Sequence, residues 1–126
     1  MIFSKEEAIK AINNLSEEPK WASDDDWEWP NDLAIENAIK LIDLGLKANR
    51  LGPDANGGVA LYHYGPGDKF AWFSTWNTGE IDSFYCPNYK NYGVGRKDSI
   101  HRLDLQLQPI SGLEAEISFW NEWVNE

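Results

Sequence analysis

Three segments in the middle of the chain are rich in aromatic and β-branched residues, and short turn sequences separate them. Residues 59–64, 69–76 and 81–86 have the composition of strands. Gly65-Pro66-Gly67-Asp68 and Asn77-Thr78-Gly79-Glu80 contain the residues that favour tight turns. The pattern therefore predicts an antiparallel meander of three strands.

A fourth strand is predicted at residues 100–108. Leu103, Leu105 and Leu107 alternate there with polar residues, as expected for a strand that is buried on one side. The preceding residues, 87–99, are polar and form a connection that is long for a compact domain. We expect this segment to be mobile or recruited for binding.

The flanking sequences have helical spacing. Ser4-Lys5-Glu6-Glu7 is a capping box, and it predicts a first helix that ends near residues 14–16. Pro30-Asn31-Asp32 predicts the start of a second helix. In that helix Gly45 only weakens the pattern, and Gly52-Pro53 marks the end. The apolar stripes of these helices comprise Ala8, Ile9, Ile12 and Leu15, and then Ile35, Ala38, Ile39, Leu41, Ile42 and Leu44.

A third helix is predicted at the end of the chain. Ser111-Gly112-Leu113-Glu114 is a second capping box, and Leu113, Ile117, Trp120 and Val124 follow at helical spacing. The sequence thus predicts an α+β fold, in which a four-stranded antiparallel meander packs with two N-terminal helices and one C-terminal helix. At 126 residues, we expect one globular domain over residues 1–126.

Both faces of the predicted sheet carry large rings. Alternation places Leu61, His63 and Phe73 on one face, and Tyr62, Tyr64, Trp72 and Trp76 on the other. Either helices cover both faces or one aromatic face is exposed and functional. The second case predicts a small-ligand or nucleotide-binding module, or a degenerate enzyme, that uses the face of Tyr62, Tyr64, Trp72 and Trp76.

Composition narrows the class of protein. Hydrophobic residues make up 42% of the chain, which is enough apolar area to form a core. Cys86 is the single cysteine, so an internal disulfide framework is excluded. The first residues lack the apolar region of a signal peptide, and no run is long enough to cross a membrane. We therefore expect a cytoplasmic protein.

The charge distribution indicates the kind of partner. The net charge is −10, and residues 1–58 carry twelve acidic and six basic residues, whereas residues 59–110 carry five of each. Such a field opposes direct binding to nucleic acid or anionic lipid. A basic protein surface is the complement, although acidic helices can equally serve only to keep a tryptophan-rich domain soluble.

The segment before the second helix combines tryptophans with acids. Neither helical nor strand spacing fits it, so we expect a loop. Aromatic rings can anchor a protein interface while carboxylates steer a basic partner, so this segment is a candidate partner-binding site. The alternative is that Trp27 and Trp29 are core rings beside a solvated acidic loop. The candidate residues are Trp21, Asp24, Asp25, Asp26, Trp27, Glu28, Trp29 and Asp32.

Catalytic and metal-binding patterns are weak. His63 and His101 are the only histidines, and the chain has no Walker, Gly-x-Ser-x-Gly or His-x-x-x-His motif. Cys86 and His63 would form a nucleophile and base only if their strands were neighbours in register. The acids at residues 24–28 lack EF-hand spacing for Ca²⁺. We expect a protein without a metal or cofactor that is not an enzyme.

Part of the chain resembles a set of small bacterial proteins of unknown function. The resemblance lies in Trp21 with its acidic stretch, Pro30, the helix with Ala38, and residues 53–61. Members of the set share a Trp-Asp-Gly-like start, a proline-rich hinge before a helix and an Asp-Gly-Gly-Val-like turn that opens a strand meander. This chain departs from them at Leu61-Tyr62-His63, where the set has Leu-Glu-Trp. The resemblance implies the helix-then-meander layout, without a catalytic residue or substrate.

These observations lead to a functional hypothesis. Small size, acidity and aromatic content favour a bacterial or phage protein that binds another protein. The narrower hypothesis is an inhibitor of the immunity, antitoxin or anti-CRISPR-like kind, which blocks the basic surface of a toxin, nuclease or nucleic-acid-binding protein.

Overall fold

The computed structural model describes residues 2–21, 27–65, 69–86, 100–106 and 110–125, with the backbone alone for residues 100–106 and 110–112. These residues form one antiparallel sheet and helices before and after it. We name the helices α1 (Lys5–Asn13), α2 (Asp32–Asp43) and α3 (Ile110–Asn125), and a 3₁₀ turn, Asn14–Ser16, follows α1. The strands are β1 (Arg50–Asp54), β2 (Gly58–Tyr64), β3 (Phe70–Trp76), β4 (Glu80–Cys86) and β5 (Ile100–Gln106).

The sheet confirms the predicted α+β fold and its meander. The strands lie in chain order, β1-β2-β3-β4-β5, and every neighbouring pair is antiparallel. The four predicted strands correspond to β2–β5. Strand β1 is an addition that was missed, because Gly52 and Pro53 suppress the strand signal. Proline is tolerated there because β1 is an edge strand of the described sheet, where one side of the backbone needs no donor.

The capping box of α1 forms as predicted. The Ser4 amide donates to Oε1 of Glu7 at 3.0 Å, and the Glu7 amide donates to Oγ of Ser4 at 3.1 Å. The Ser4 backbone amide, and after it the Ser4 side chain, hydrogen-bond the Glu7 carboxyl and lower its pKa, since these bonds favour the charged form. Helix α2 also begins as predicted, with Oδ1 of Asn31 accepting from the Ala34 amide at 2.9 Å.

Helix α2 ends earlier than predicted. Gly45 has φ of 105°, and its amide donates to the carbonyl of Ile42 while the Leu46 amide donates to that of Leu41. This pair of bonds is a Schellman motif, which needs a residue in the left-handed region. Gly45 therefore terminates the helix, and the prediction that Gly52-Pro53 marks its end was wrong.

Helix α3 begins at Ile110, so Ser111 lies inside the first turn rather than at the predicted cap. Its predicted apolar stripe is buried, with Leu113, Ile117, Trp120 and Val124 at most 5% exposed. The Trp120 indole donates to the carbonyl of Lys47 at 2.6 Å, which fixes α3 to the segment after α2. None of the described helices is long and apolar enough to cross a membrane.

The hydrophobic core lies between the helices and one face of the sheet, which we call the helix face. Residues that pair across neighbouring strands lie on the same face of the sheet. Leu61 of β2 pairs with Phe73 of β3, and Phe73 pairs with Ser83 of β4, so all three lie on the helix face. Its apolar sheet residues are fully buried and belong to one cluster with residues of α1, α2 and α3. They are Val59, Leu61, Ala71, Phe73, Ile81 and Tyr85.

A buried polar network joins α3 to the helix face. Glu116 is 6% exposed, and its Oε2 accepts from the Tyr85 hydroxyl at 2.7 Å and from the Ser83 hydroxyl at 3.3 Å. The Thr75 hydroxyl similarly donates to the carbonyl of Ala34 in α2 at 2.8 Å. Buried polar groups are retained where they are paired, so these bonds specify how the helices sit on the sheet.

The opposite face of β2–β4, which we call the aromatic face, is turned away from the core. It carries Tyr62 and Tyr64 from β2, Phe70, Trp72, Ser74 and Trp76 from β3, and Asp82, Phe84 and Cys86 from β4. Tyr64 is 41% exposed, and Tyr62, Trp72, Trp76 and Phe84 are half-buried. The described helices therefore pack on the sheet from one side.

Candidate functional site

The tryptophans of the acidic segment form a cluster at the surface, which we call the tryptophan cluster: Trp21, Trp27 and Trp29. The ring of Trp21 meets those of Trp27 and Trp29 edge to face, with centroids 5.2 Å and 6.0 Å apart. The centroids of Trp27 and Trp29 are 6.2 Å apart. Trp21 is 49% exposed, and the other two rings are half-buried. These rings are thus packed on one another and partly open to solvent.

Hydrogen bonds fix the tryptophan cluster to the rest of the fold. The indole of Trp29 donates to the carbonyl of Leu15 at 2.6 Å, which ties the cluster to the turn after α1. The Glu28 amide donates to the carbonyl of Ala55 at 3.0 Å, and Glu28 makes an isolated bridge with Asn56. The segment is therefore anchored both to the turn after α1 and to the turn between β1 and β2.

Asn77 connects the same segment to the turn between β3 and β4. Its Nδ2 donates to the carbonyl of Trp29 at 3.0 Å, and its Oδ1 accepts from the Asn31 amide at 2.8 Å. The Asn31 side chain donates in return to the carbonyl of Asn77 at 3.1 Å. The sequence assigned Asn77 only to the turn, because no local signal indicates that its side chain hydrogen-bonds residues that lie 46 to 48 positions earlier in the chain.

Acidic residues flank the cluster in the sequence. Glu17, Glu28 and Asp32 are exposed, and Glu28 packs over Gly57, where an added Cβ would lie 2.6 Å from the Glu28 carboxyl carbon. Leu33, next to Asp32 in the chain, is 44% exposed. The predicted site residues Asp24, Asp25 and Asp26, together with the Ca²⁺ alternative that depends on them, lie outside the described residues.

The four residues of the predicted ligand face all lie on the aromatic face, but they do not form one pocket. Tyr62 and Tyr64 line a cavity of about 340 Å³ together with Phe3, Asn49, Arg50 and Leu51. Trp72 and Trp76 line a separate cavity of about 80 Å³ with Ser74, Asp82 and Phe84. The smaller cavity is well below the volume of a nucleotide site.

Charges differ between these two cavities. At the larger one the Arg50 guanidinium lies 5.7 Å from the centroid of the Tyr64 ring, within the range of a cation–π contact. Burial raises the pKa of the Tyr62 phenol, and the nearby charges of Asp54 and Tyr64 raise it further. At the smaller one Oδ2 of Asp82 accepts from the Trp76 indole at 3.1 Å.

The structure does not place the proposed catalytic pair together. His63 pairs with Ala71, and Ala71 pairs with Tyr85, so His63 shares the helix face with Tyr85. Cys86 follows Tyr85 and lies on the aromatic face, opposite Phe70. Because alternate residues point to opposite sides of a sheet, Cys86 and His63 lie on different faces. Among the described residues no group of three or more His, Cys, Asp or Glu could hold a metal ion.

His63 is nevertheless unusual. It is 6% exposed, and its Nδ1 has no hydrogen-bond partner among the described residues. Burial lowers the pKa of its imidazole, and the positive charges of Lys69 and the N-terminus lower it further. The Lys69 ammonium itself donates to the carbonyl of Trp123 and lies 4.3 Å from the centroid of the Trp123 ring. His63 is therefore held neutral at the end of the helix face.

Comparisons with known proteins give no relative. No family model matches the chain, and no curated protein or solved structure is significantly similar to it. The resemblance to small bacterial proteins thus stays a prediction. The functional argument accordingly depends on the arrangement of this chain's own residues.

Proposed function

We propose that the chain is a non-enzymatic protein-binding module that inhibits its partner by covering a basic surface of that partner. The observation that carries the proposal is the tryptophan cluster, in which three rings in mutual contact lie at the surface, within a stretch of sequence that also holds the exposed acids Glu17, Glu28 and Asp32. The partner class is that of the immunity, antitoxin or anti-CRISPR-like hypothesis: a toxin, a nuclease or another nucleic-acid-binding protein.

The energetic argument starts from the rings. Tryptophan is enriched among the residues that dominate binding energy, because it buries a large area with little loss of side-chain freedom. Trp21 is 49% exposed and has apolar area to bury against a partner. Bonds to Leu15, Ala55 and Asn77 hold the segment in place before binding, which reduces the entropic cost of association.

The charges supply steering and selectivity. Glu17, Glu28 and Asp32 are exposed near the cluster in the sequence, within a chain of net charge −10. A carboxylate rim around aromatic anchors accelerates encounter with a basic surface and disfavours acidic ones. The same charges oppose binding to phosphates, so the proposed target is the protein that handles nucleic acid rather than the nucleic acid.

The test is capture of a partner with wild-type chain and matched variants. Tagged chain is exposed to lysate of its own organism, captured proteins are identified by mass spectrometry, and the affinity of a captured protein is then measured with purified components. We expect a basic partner whose activity falls in proportion to added chain. Trp21→Ala should weaken binding by about thirtyfold, the size expected for an interface hot spot.

Charge variants distinguish electrostatic steering by the acids near the cluster from an effect of the chain's overall negative charge. Glu28→Gln with Asp32→Asn should slow association at low salt, whereas Glu114→Gln with Glu122→Gln removes the same charge from exposed positions of α3 and should have little effect. Binding that is unchanged in both Trp21→Ala and the Glu28/Asp32 variant would exclude the proposed interface. A captured partner that keeps full activity in the complex would exclude inhibition.

The second candidate is a small-ligand-binding module, and the cavity of about 340 Å³ at Tyr62 and Tyr64 favours it. This volume falls at the lower end of small-molecule sites, and Arg50 would pair with an anionic group. Titration with nucleoside monophosphates, followed by tyrosine and tryptophan fluorescence, tests it. Saturable binding that Arg50→Gln abolishes would support this function, and the absence of binding by wild-type chain would exclude it for nucleotides.

A further inference from the structure

Leu33 is an exposed apolar side chain in the first turn of α2. It is 44% exposed, whereas the next two residues of the helix, Ala34 and Ile35, are buried in the core. A Cβ added at Gly79 would lie 3.3 Å from Cδ2 of Leu33, so the leucine rests on the glycine of the turn between β3 and β4. Leu33 is therefore open to solvent and also held against a fixed part of the fold.

The same turn holds the tryptophan cluster. Nδ2 of Asn77 donates to the carbonyl of Trp29, and its Oδ1 accepts from the Asn31 amide. Trp29 and Leu33 are four positions apart in the chain, so their Cα atoms are at most about 14 Å apart. The ring centroid of Trp21 is 6.0 Å from that of Trp29. A standard interface of about 800 Å² per partner is about 30 Å across, so one partner can cover both Trp21 and Leu33.

The other large apolar side chains that are more than a third exposed lie far from this turn. Gly58 pairs with Trp76, and Tyr64 lies at the opposite end of β2, about 20 Å away at about 3.3 Å per residue. Ile2 precedes α1, and the length of this helix, about 14 Å, separates it from Leu15, to which the tryptophan cluster is bonded. A single exposed leucine is ordinary on a protein surface. Trp21 and Leu33, however, lie at one end of the molecule and on one hydrogen-bonded support.

Exposed acids border Leu33 on α2. Asp32 precedes it, and Glu36 lies three positions after it, where side chains are neighbours on a helix. Neither carboxylate makes an ion pair with another of the residues that the structure describes. The exposed cations in this part of the sequence are Lys20, beside the tryptophan cluster, and Lys40, about 10 Å along the helix axis from Leu33. A basic surface with an apolar site thus complements Leu33 and its two acids.

We infer that Leu33 is a second apolar anchor of the interface proposed for the tryptophan cluster. The partner then presents two apolar sites, each bordered by basic side chains, on one continuous surface. Leu33 has apolar area to bury, and its contact with Gly79 reduces the freedom that is lost on binding. The inference rests on the proposed function, because it assigns Leu33 to the same interface. Its test uses a model of the partner's chemistry, so the result does not depend on whether a partner is inhibited.

A helical peptide of about 14 residues, composed of leucine and lysine, is the probe, since it spans about 20 Å and presents apolar side chains among cations. Binding to ¹⁵N-labelled chain is followed by NMR. We expect the amide signals of Leu33 and Gly79 and the indole signal of Trp21 to shift saturably with a common midpoint. The amide signals of Ile2 and Tyr64 should shift little. Matched peptides with glutamate in place of lysine, or with serine in place of leucine, should give no saturable shift.

Leu33→Ala is the decisive variant. Alanine is a good helix former and the position is exposed, so the variant should fold. We expect it to weaken peptide binding by about three- to tenfold, because part of the burial of a leucine is lost. Ile2→Ala is the matched control, since isoleucine has the same size as leucine and Ile2 is 37% exposed. It should leave the affinity unchanged.

Three results would overturn the inference: no saturable shift at Leu33 in folded wild-type chain, an equal response to the glutamate peptide, or equal affinity in wild-type chain and Leu33→Ala. The same variants are then measured with the captured partner. Weaker binding in Trp21→Ala with unchanged binding in Leu33→Ala would exclude the second anchor and leave the proposed function in place. A captured partner that keeps its activity but binds Leu33→Ala more weakly would exclude inhibition and support the anchor.

Discussion

The two faces of the sheet are built from the same three strands and both carry rings. They differ in how far their rings are buried and in whether their polar groups are hydrogen-bonded. On the helix face, Phe73 and Tyr85 are fully buried, and the hydroxyls of Thr75 and Tyr85 have helix partners. On the aromatic face Phe70 is buried, Tyr64 is exposed and the other rings are half-buried, and the Trp72 indole has no acceptor among the described residues. The comparison teaches that ring content alone does not identify a core, because the packed helices decide which rings are structural.

The largest expected effect is at Phe73 on the helix face. Phe73→Ala should lower the free energy of unfolding by about 3–5 kcal/mol, since it removes a large buried ring and leaves a cavity. Tyr64→Ala on the aromatic face should cost much less, because Tyr64 is 41% exposed. Urea unfolding followed by circular dichroism measures both, and similar costs would mean that the faces do not differ as described.

Removing one tyrosine hydroxyl from each face tests a smaller difference in stability between the faces. Tyr85→Phe deletes the donor to Glu116 and leaves a buried carboxylate short of a bond, so we expect a loss of about 1–3 kcal/mol. Tyr62→Phe should stay within about 0.5 kcal/mol, the usual range for partly exposed positions without such a bond. Equal changes in the two variants would show that the Tyr85–Glu116 bond does not stabilise the helix face.

Asn77 tests whether the end of the sheet positions the tryptophan cluster. Asn77→Ala removes two side-chain bonds to the segment at Trp29 and Asn31, and it should cost about 1 kcal/mol. Hydrogen exchange of the Asn31 amide, which donates to Asn77, should increase, whereas Thr78→Ala, in the same turn, should leave it unchanged. Unaltered exchange in Asn77→Ala would indicate that the other anchors suffice.

The smallest expected effect is the pH dependence from His63. Its pKa is lowered in the folded chain, so the unfolded chain binds the proton more readily. The stability that neutral His63 contributes is therefore complete above the ordinary histidine pKa of about 6.5 and is lost as pH falls through the lowered value. His63→Gln should flatten the fall in melting temperature between neutral pH and pH 5. An unchanged slope in His63→Gln would contradict this assignment.

Much of the layout followed from local signals. The capping box at Ser4, the cap at Asn31 and the alternation in β2–β4 depend on neighbours within a few positions, and all of them formed as predicted. Two of the errors came where a local signal had two meanings. A glycine such as Gly45 can lie inside a helix or end it, and here it ends α2. Gly52-Pro53 can mark the end of a helix or lie in an edge strand, and here it lies in β1.

The candidate sites were predicted as sets of residues but not as arrangements. The sequence indicated Trp21, Trp27 and Trp29, while the bond from Trp29 to Asn77 joins positions far apart in the chain. Likewise Trp72 and Trp76 were proposed, but Phe84 and Asp82 were not, because their place in the cavity depends on the pairing of β3 with β4.

The sequence by itself determined the helices, the meander and the existence of two ringed faces, since these depend on periodicity and capping over short distances. Only the tertiary structure decided that the helices cover the face of Phe73 rather than that of Trp72, and that the rings of the acidic segment meet at the surface. The physical reason is that both faces carry large rings, so ring content does not choose between them. In the part of the chain that the structure describes, buried hydrogen bonds such as those of Thr75 and Glu116 join the face of Phe73 to the helices.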